Sequence, residues 1–312
     1  MPEVRFARTI AALLLISVLS HPARAQKRIA LTFDDAPRSD GMVYTGEERA
    51  TELIRTLDEV EAGPVAFFVT TRHFAEQKEG RERIERYAAA GHLIANHTHT
   101  HPWAHQTPVA EYLADIDRAN SLLNGIENRR NWFRFPFLDE GRTGEKIAAI
   151  AAGLEERELV NGYVTVDNYD WYLDSKLQEA LKAGQSVDYA KLGKLYVNML
   201  LYAAEYYDSV AVQMLGESPV HVLLLHENDM AALYADDLVR SLRETGWTIV
   251  SPDTAYEAPL PTPKTPFTGQ GRVFALAADA GRARRTMWTW AIDEQMLDVQ
   301  IERSGVFSEP DP

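Results

Sequence analysis

The stretch Leu31-Thr32-Phe33-Asp34-Asp35-Ala36-Pro37 decides how the chain reads. The apolar run that leads into it, Ile29 to Phe33, has the character of a buried strand. The run ends in two adjacent acids, and Pro37 stops it. Neighbouring side chains on a strand point opposite ways, so Asp34 and Asp35 share one site only if the chain bends there. An acidic turn after a strand is the ordinary account of such a pair, since Asp is at home in turns. Later strands shift the balance, because they too end in polar residues suited to metal chemistry.

Working outward, strand-like and helix-like stretches alternate. Strands are expected at 28–33, 64–69, 92–95, 132–137, 160–166, 220–225 and 247–251. Helical spacing lies between them at 47–61, 81–90, 109–125, 143–152, 175–183, 187–215 and 230–245. Strand 220–225 is apolar throughout except His221, as suits a parallel strand covered on both faces. No hairpin signal separates the strands. The pattern predicts an α/β fold, a distorted (β/α) barrel with about seven parallel strands, with a doubly wound open sheet as the alternative. Residues 257–266 read as an extended, proline-rich linker. Residues 267–312 form a C-terminal extension of unknown role without a chemistry motif, either a packed appendage or a partly ordered tail. The barrel domain is then 26–256.

The chain has 312 residues, 46% of them hydrophobic and 25% charged, enough for a large core. Residues 1–25 read as a signal peptide. Arg5 and Arg8 precede an apolar run too short to span a bilayer, and Ala23-Arg24-Ala25 fits a cleavage site; an uncleaved anchor is the alternative. The protein is expected to be exported, to the periplasm or the extracellular medium, with no stable membrane span after cleavage. The formal net charge is −14; removing 1–25, with three Arg and one Glu, leaves −16. Such a surface repels nucleic acid and anionic lipid. With no cysteine, thiolate zinc sites and cysteine nucleophiles are excluded, and a metal here has only His and carboxylate ligands.

The third strand runs into Asn96-His97-Thr98-His99-Thr100-His101-Pro102. His97 and His101 stand i, i+4, which on a helical turn puts both rings on one face, the spacing of a chelating pair. His99 then points elsewhere, and His105 is a spare candidate. Two imidazoles and one carboxylate leave an open position, the mark of a catalytic site. The donor set suits a divalent metal, Zn2+ foremost, with Co2+ or Ni2+ as alternatives. An unligated acid beside the metal has a use as a base. Arg134, in the apolar run Phe133-Arg134-Phe135-Pro136-Phe137, calls for a carboxylate partner. The fifth strand ends in Asp167-Asn168-Tyr169-Asp170-Trp171 and the sixth in Leu225-His226-Glu227-Asn228-Asp229. A buried Asp–His pair there would raise the His pKa and fix its tautomer, as suits a general acid. Five polar clusters thus fall at C-terminal strand ends, where barrel enzymes place their chemistry.

On these motifs the sequence resembles the polysaccharide deacetylases, metal-dependent carbohydrate esterases related to the nodulation chitooligosaccharide deacetylase. The likeness runs from about Arg28 to Ser251 and rests on Thr32-Phe33-Asp34-Asp35-Ala36-Pro37, His97-Thr98-His99-Thr100-His101-Pro102, Arg134-Phe135-Pro136-Phe137, Asp170-Trp171 and Leu223-Leu224-Leu225-His226, in that order. The resemblance implies that Asp35, His97 and His101 bind the metal. It implies that Asp34 is the general base, oriented by Arg134, and that His226 is the general acid, held by Asp170. Trp171 would form a wall beside the acetyl methyl, and the Phe137 N–H would help hold the oxyanion. Three departures stand out: Ala36 where the family usually has Gly, Phe137 where Tyr is common, and a long helical section between Asp170 and His226. The implied partner is an acetylated glycan. An O-acetyl esterase acting on a polysaccharide such as xylan would use the same residues. A non-catalytic carbohydrate-binding protein and a metal-scavenging protein are the readings from other classes.

Overall fold

The computed structural model describes residues 26–77, 79–264 and 269–308, so the expected signal peptide lies outside the described residues. The elements run β1 (Lys27–Ala36), α1 (Gly46–Glu59), β2 (Ala66–Val69), α2 (His73–Glu76), α3 (Gly80–Ala89), β3 (Leu93–Asn96), α4 (Val109–Leu122), β4 (Arg129–Phe133), α5 (Gly144–Glu155), β5 (Val160–Asn161), α6 (Asp170–Lys182), β6 (Ser186–Val187), α7 (Tyr189–Leu215), β7 (Val220–His226), α8 (Asp229–Glu244), β8 (Trp247–Ile249), α9 (Pro252–Glu257), α10 (Gly271–Asp279), α11 (Glu294–Ser304) and β9 (Phe307–Ser308). β1 is the strand around which the sheet is laid, and Ile29 to Phe33 are buried. β7 pairs with it in parallel from Arg28 to Asp34. On its other side β2 takes the C-terminal half and β8 the N-terminal end, also in parallel. With β3, β4 and β5 beyond β2, this makes one seven-stranded parallel sheet, curled into a half-barrel with helices outside. The expected barrel-type architecture holds.

The predicted fifth strand, 160–166, is not one strand. Only Val160–Asn161 pair with β4, and four residues later Thr165 and Val166 hydrogen-bond to Val222 of β7, with Leu224 N–H returning a bond to Val166. The crossing passes through Gly162, where a Cβ would stand 2.6 Å from the Phe68 ring. This stretch closes the sheet across its open side, which a periodicity of apolar residues does not reveal. The fourth strand also stops early, at Phe133, so that Arg134 lies just past its end and Pro136–Leu138 form a 3-10 turn.

α7 is 27 residues long. Asp188 caps its start, and Gly216, in the left-handed region, ends it. It packs closely on α8: a Cβ at Gly193 would meet the Tyr234 ring at 2.6 Å. The C-terminal segment belongs to the same core. Phe274 of α10 stacks on Tyr207 of α7, Met287, Ile292 and Leu297 are buried, and β9 pairs antiparallel with β6. Proline-rich residues before it are pinned as well: Leu260 N–H donates to the Tyr163 hydroxyl. Among the described residues no helix is long and apolar enough to cross a membrane.

A buried ionic network fixes the loop that follows the Asp34–Asp35 turn. Arg49 of α1 pairs with Glu227 (3.4 Å) and Asp229 (3.1 Å), both beyond the end of β7. Glu227 also accepts from Arg38 N–H and the Tyr87 hydroxyl, and Asp229 from Val43 N–H. Removing the cation leaves two buried carboxylates uncompensated. Arg49→Ala is therefore expected to lower the unfolding free energy by about 3–5 kcal/mol in urea denaturation. A loss under about 1 kcal/mol, the range of an exposed pair, would show that the network does not carry this load.

Candidate active site and metal centre

Asp34 and Asp35 sit at the C-terminal end of β1, and the bend their sharing of a site requires is present. Asp35 has φ of +68°, which turns its side chain out of the strand alternation. Asp34 is buried, and its Oδ1 accepts from Arg134 Nη1 at 2.6 Å. The Arg134 guanidinium is itself buried, and each of its three nitrogens donates. It donates to the Thr32 hydroxyl (2.8 Å), the Gly162 carbonyl (2.7 Å) and the Tyr256 hydroxyl (3.1 Å), and it lies 3.7 Å over the Phe68 ring.

The histidine segment is not the helical turn that an i, i+4 spacing suggests. It is an irregular loop with Thr98 (φ +71°) and His101 (φ +59°) in the left-handed region. Side chains hold it there. Asn96 accepts from Thr98 N–H, the Thr98 hydroxyl accepts from His101 N–H, and Asp115 of α4 accepts from both His99 and Thr100 N–H. The two rings still meet, with centroids 4.9 Å apart. His99 turns to the Thr71 hydroxyl (3.0 Å), and His105 pairs with Asp139 (2.5 Å), so neither joins the cluster.

His97 Nδ1 lies 2.9 Å from the Arg134 carbonyl, a contact in which the ring donates and Nε2 is left with its lone pair. His97 Nε2 is 3.6 Å and His101 Nε2 3.2 Å from Asp35 Oδ1, and the three donor atoms lie within 4.8 Å of one another. Two ligands about 2.0–2.2 Å from a tetrahedral zinc stand roughly 3.3–3.6 Å apart, so this donor set fits such an ion. The protonation of His97 fits too. Burial pushes His97 down to about 4, leaving it neutral near pH 7. Burial would raise Asp35, but the hydrogen bond and charge of His101 outweigh it and hold the carboxyl well below the usual range.

Across the cavity His226 ends β7 in register with Asp34. Its Nδ1 is 2.6 Å from one oxygen of Asp170, and its main-chain N–H donates to the other at 2.8 Å. Asp170 is fully buried at the start of α6 and also accepts from Asn228. Burial opposes the His226 charge, but the Asp170 carboxylate prevails and raises it to about 9. Phe137, at φ +58°, stacks on Trp103 at 3.7 Å and meets the His101 ring edge-on. Trp171 stands 5.2 Å from Tyr169, and both Phe137 and Trp171 are exposed. Asp34, Asp35, His97, His101, Phe137, Trp171 and His226 line one cavity of 580 Å³, with Arg134 and Asp170 behind it. All nine residues singled out in the sequence therefore converge. Sequence reasoning missed Thr32, Tyr256 and Asp115, which orient them, and Gln270 and Glu294, which reach the cavity from the C-terminal segment. Thr32 lies in the first motif but is given no role there; the other four carry no motif.

Residues 21–155 match the family model for polysaccharide deacetylase, a span that holds Asp34, Asp35, His97, His101 and Arg134 and ends before Asp170 and His226. The resemblance drawn from the motifs thus holds. Among solved structures, the polysaccharide deacetylase Bc1974 from Bacillus cereus is similar in fold (TM-score 0.54, 19% identity, 76% of this chain and 96% of that one). The catalytic domain of a peptidoglycan N-acetylglucosamine deacetylase from Eubacterium rectale is similar as well (TM-score 0.52, 18% identity, 81% and 95%). A third is a mutant of BA3943, described as a CE4 family pseudoenzyme with restored enzymatic activity (TM-score 0.50, 19% identity, 73% and 66%). The fold alone therefore does not guarantee turnover, and the residues of the site must carry the functional argument. No curated protein matches the chain.

The His226 shift has a testable consequence. A histidine raised from 6.5 to about 9 by its partner contributes stability that is complete below about pH 6.5 and lost as pH rises through 9. The stability difference between the wild type and His226→Ala should therefore be largest near pH 6 and shrink toward about pH 10. A difference that does not vary with pH would mean that His226 is not held protonated by Asp170.

Proposed function

We propose that the protein is a metal-dependent hydrolase that removes acetyl groups from N-acetylated glycans, a class that includes peptidoglycan, chitin-type oligosaccharides and exopolysaccharides. The observation that carries this reading is the placement of Asp34 and His226. A carboxylate gripped by Arg134 and a histidine gripped by Asp170 stand at adjoining strand ends, beside one carboxylate and two imidazoles that fit a metal.

A divalent ion, Zn2+ in the first instance, would be held by Asp35, His97 and His101, and would supply a Lewis acid for the acetyl carbonyl and lower the pKa of water. The chain's own groups do the rest. Asp34 has one oxygen committed to Arg134, while Oδ2, 3.7 Å from His97 Nε2, is placed to take a proton from the attacking water. The Phe137 N–H is the proposed main-chain donor to the oxygen that gains charge. His226, its Nδ1 fixed by Asp170, gives the Nε2 proton to the leaving nitrogen. Water adds across the amide, and the products are acetate and a glucosamine-type unit. The raised His226 favours the amide over an ester, because an amine must be protonated to leave, whereas an alkoxide leans less on an acid. The aromatic faces of Trp103, Phe137 and Trp171 at the cavity suit a sugar ring. Export through residues 1–25 would bring the enzyme to glycans in the periplasm or outside the cell.

Acetate release from acetylated oligosaccharides tests the assignment. Asp34→Asn and His226→Ala should each lower turnover by about 10²–10⁴. Near-normal rates in both would contradict it, and faster release from acetylated xylan than from any N-acetylated glycan would point to the O-acetyl esterase.

A further inference from the structure

One buried acid in the cavity has no part in the chemistry above. Asp167 is 6% exposed and lines the cavity that holds Asp34, Asp35 and His226. Its carboxylate accepts from Asn168 N–H at 2.8 Å and from the main-chain N–H of Gln270. It forms no ion pair among the described residues. Arg134 is committed to Asp34, and the His226 Nδ1 to Asp170. Two main-chain donors leave a carboxylate with unused acceptor positions. A buried acid without a cationic partner is costly to keep, and burial pushes this one up to about 7.

The strap above Asp167 comes from the far end of the chain. Gly269, Gln270 and Gly271 all have positive φ, and Gly271 is pressed so closely on the segment before Asp167 that a Cβ would stand 2.6 Å from the Val164 carbonyl. Gly269 N–H donates to Leu138, next to Phe137, and Arg272 N–H donates to Val164. The strap thus ties the Phe137 turn to the segment that crosses from β5 to β7 and brings the Gln270 N–H onto Asp167. Gly269, Gln270 and Glu294 line the same cavity from the C-terminal segment, outside the span that matches the family model.

We propose that Asp167, roofed by the Gly269–Gly271 strap, is the hydroxyl-binding residue for the sugar that carries the acetamido group, and that it selects a neutral ring over one bearing its own carboxylate. This rests on the deacetylase reading for the position of the acetamido group. A carboxylate with free lone pairs accepts from a ring hydroxyl, and Trp171 and Tyr169 in the same cavity supply apolar faces for the ring. Above about pH 7, where Asp167 is ionised, a carboxylate substituent on the sugar would meet it, and the exposed Glu294, with like charge.

The test uses the full chain with its metal and a pentamer of N-acetylglucosamine. Asp167→Asn keeps the shape and Asp167→Ala removes it. In both, KM and the Kd read from tryptophan fluorescence should rise about 10- to 100-fold, the worth of a hydrogen bond to a charged group, with a smaller change in kcat. Bound metal and melting temperature monitor the fold. On the wild type, one of the 3-, 4- and 6-deoxy methyl glycosides of N-acetylglucosamine should bind more weakly than the parent sugar, and that penalty should disappear in Asp167→Asn. Unchanged KM and Kd in both variants, or no penalty for any deoxy sugar, overturns the subsite while acetate release still supports the hydrolase. Asp167-dependent sugar binding without acetate release supports the subsite and overturns the hydrolase instead.

Discussion

The site depends on one buried cation. Arg134 stands just past the end of β4 and reaches across to the end of β1, where it fixes Asp34 at 2.6 Å. The same guanidinium is tied to the Gly162 carbonyl, where the sheet begins to close on itself, and to Tyr256 of α9. Its main-chain carbonyl takes the His97 Nδ1 contact, and so sets which ring nitrogen faces Asp35. One residue therefore orients both the proposed base and a proposed metal ligand. Placing a guanidinium in this environment is unfavourable unless its nitrogens find acceptors and the charge is matched. That requirement explains why Thr32, Tyr256 and the Phe68 ring are where they are.

Around that cation the backbone is held in conformations it would not choose. Asp35, Thr98, His101 and Phe137 all have positive φ. Each such residue costs on the order of 1–3 kcal/mol and persists only where its surroundings over-determine it. Here the surroundings are visible: Asn96 and Asp115 pin the histidine loop, and the stack of Phe137 on Trp103 pins the following turn. The strain turns side chains from separate strand ends toward one point. The charges beside the two acting groups are opposite: the Arg134 cation faces Asp34, and the Asp170 anion faces His226.

Much of this was legible in the sequence because strand ends are written locally. Apolar runs that stop in Asp34-Asp35, His97, Arg134 and His226 give both the sheet and the cluster, and the parallel pairing follows from the helices between them. The histidine spacing picks out the two rings that meet, but for the wrong local reason, since side-chain hydrogen bonds from Asn96, Thr98 and Asp115 replace a helical turn. The split of 160–166 was not legible, because what divides it is the return to Val222 of β7, a contact distant in sequence. Nor was the contribution of the C-terminal segment: Gln270 and Glu294 are ordinary residues whose reach into the cavity is decided by the packing of α10 and α11 against the core.

The central claim, that Asp35, His97 and His101 grip one divalent ion, is tested most directly by calorimetric titration of the metal-stripped protein with Zn2+. The account predicts one equivalent bound by the wild type and by His105→Ala, and loss of that binding in His101→Ala. A wild type that binds no zinc, or His101→Ala that binds as the wild type does, would contradict it.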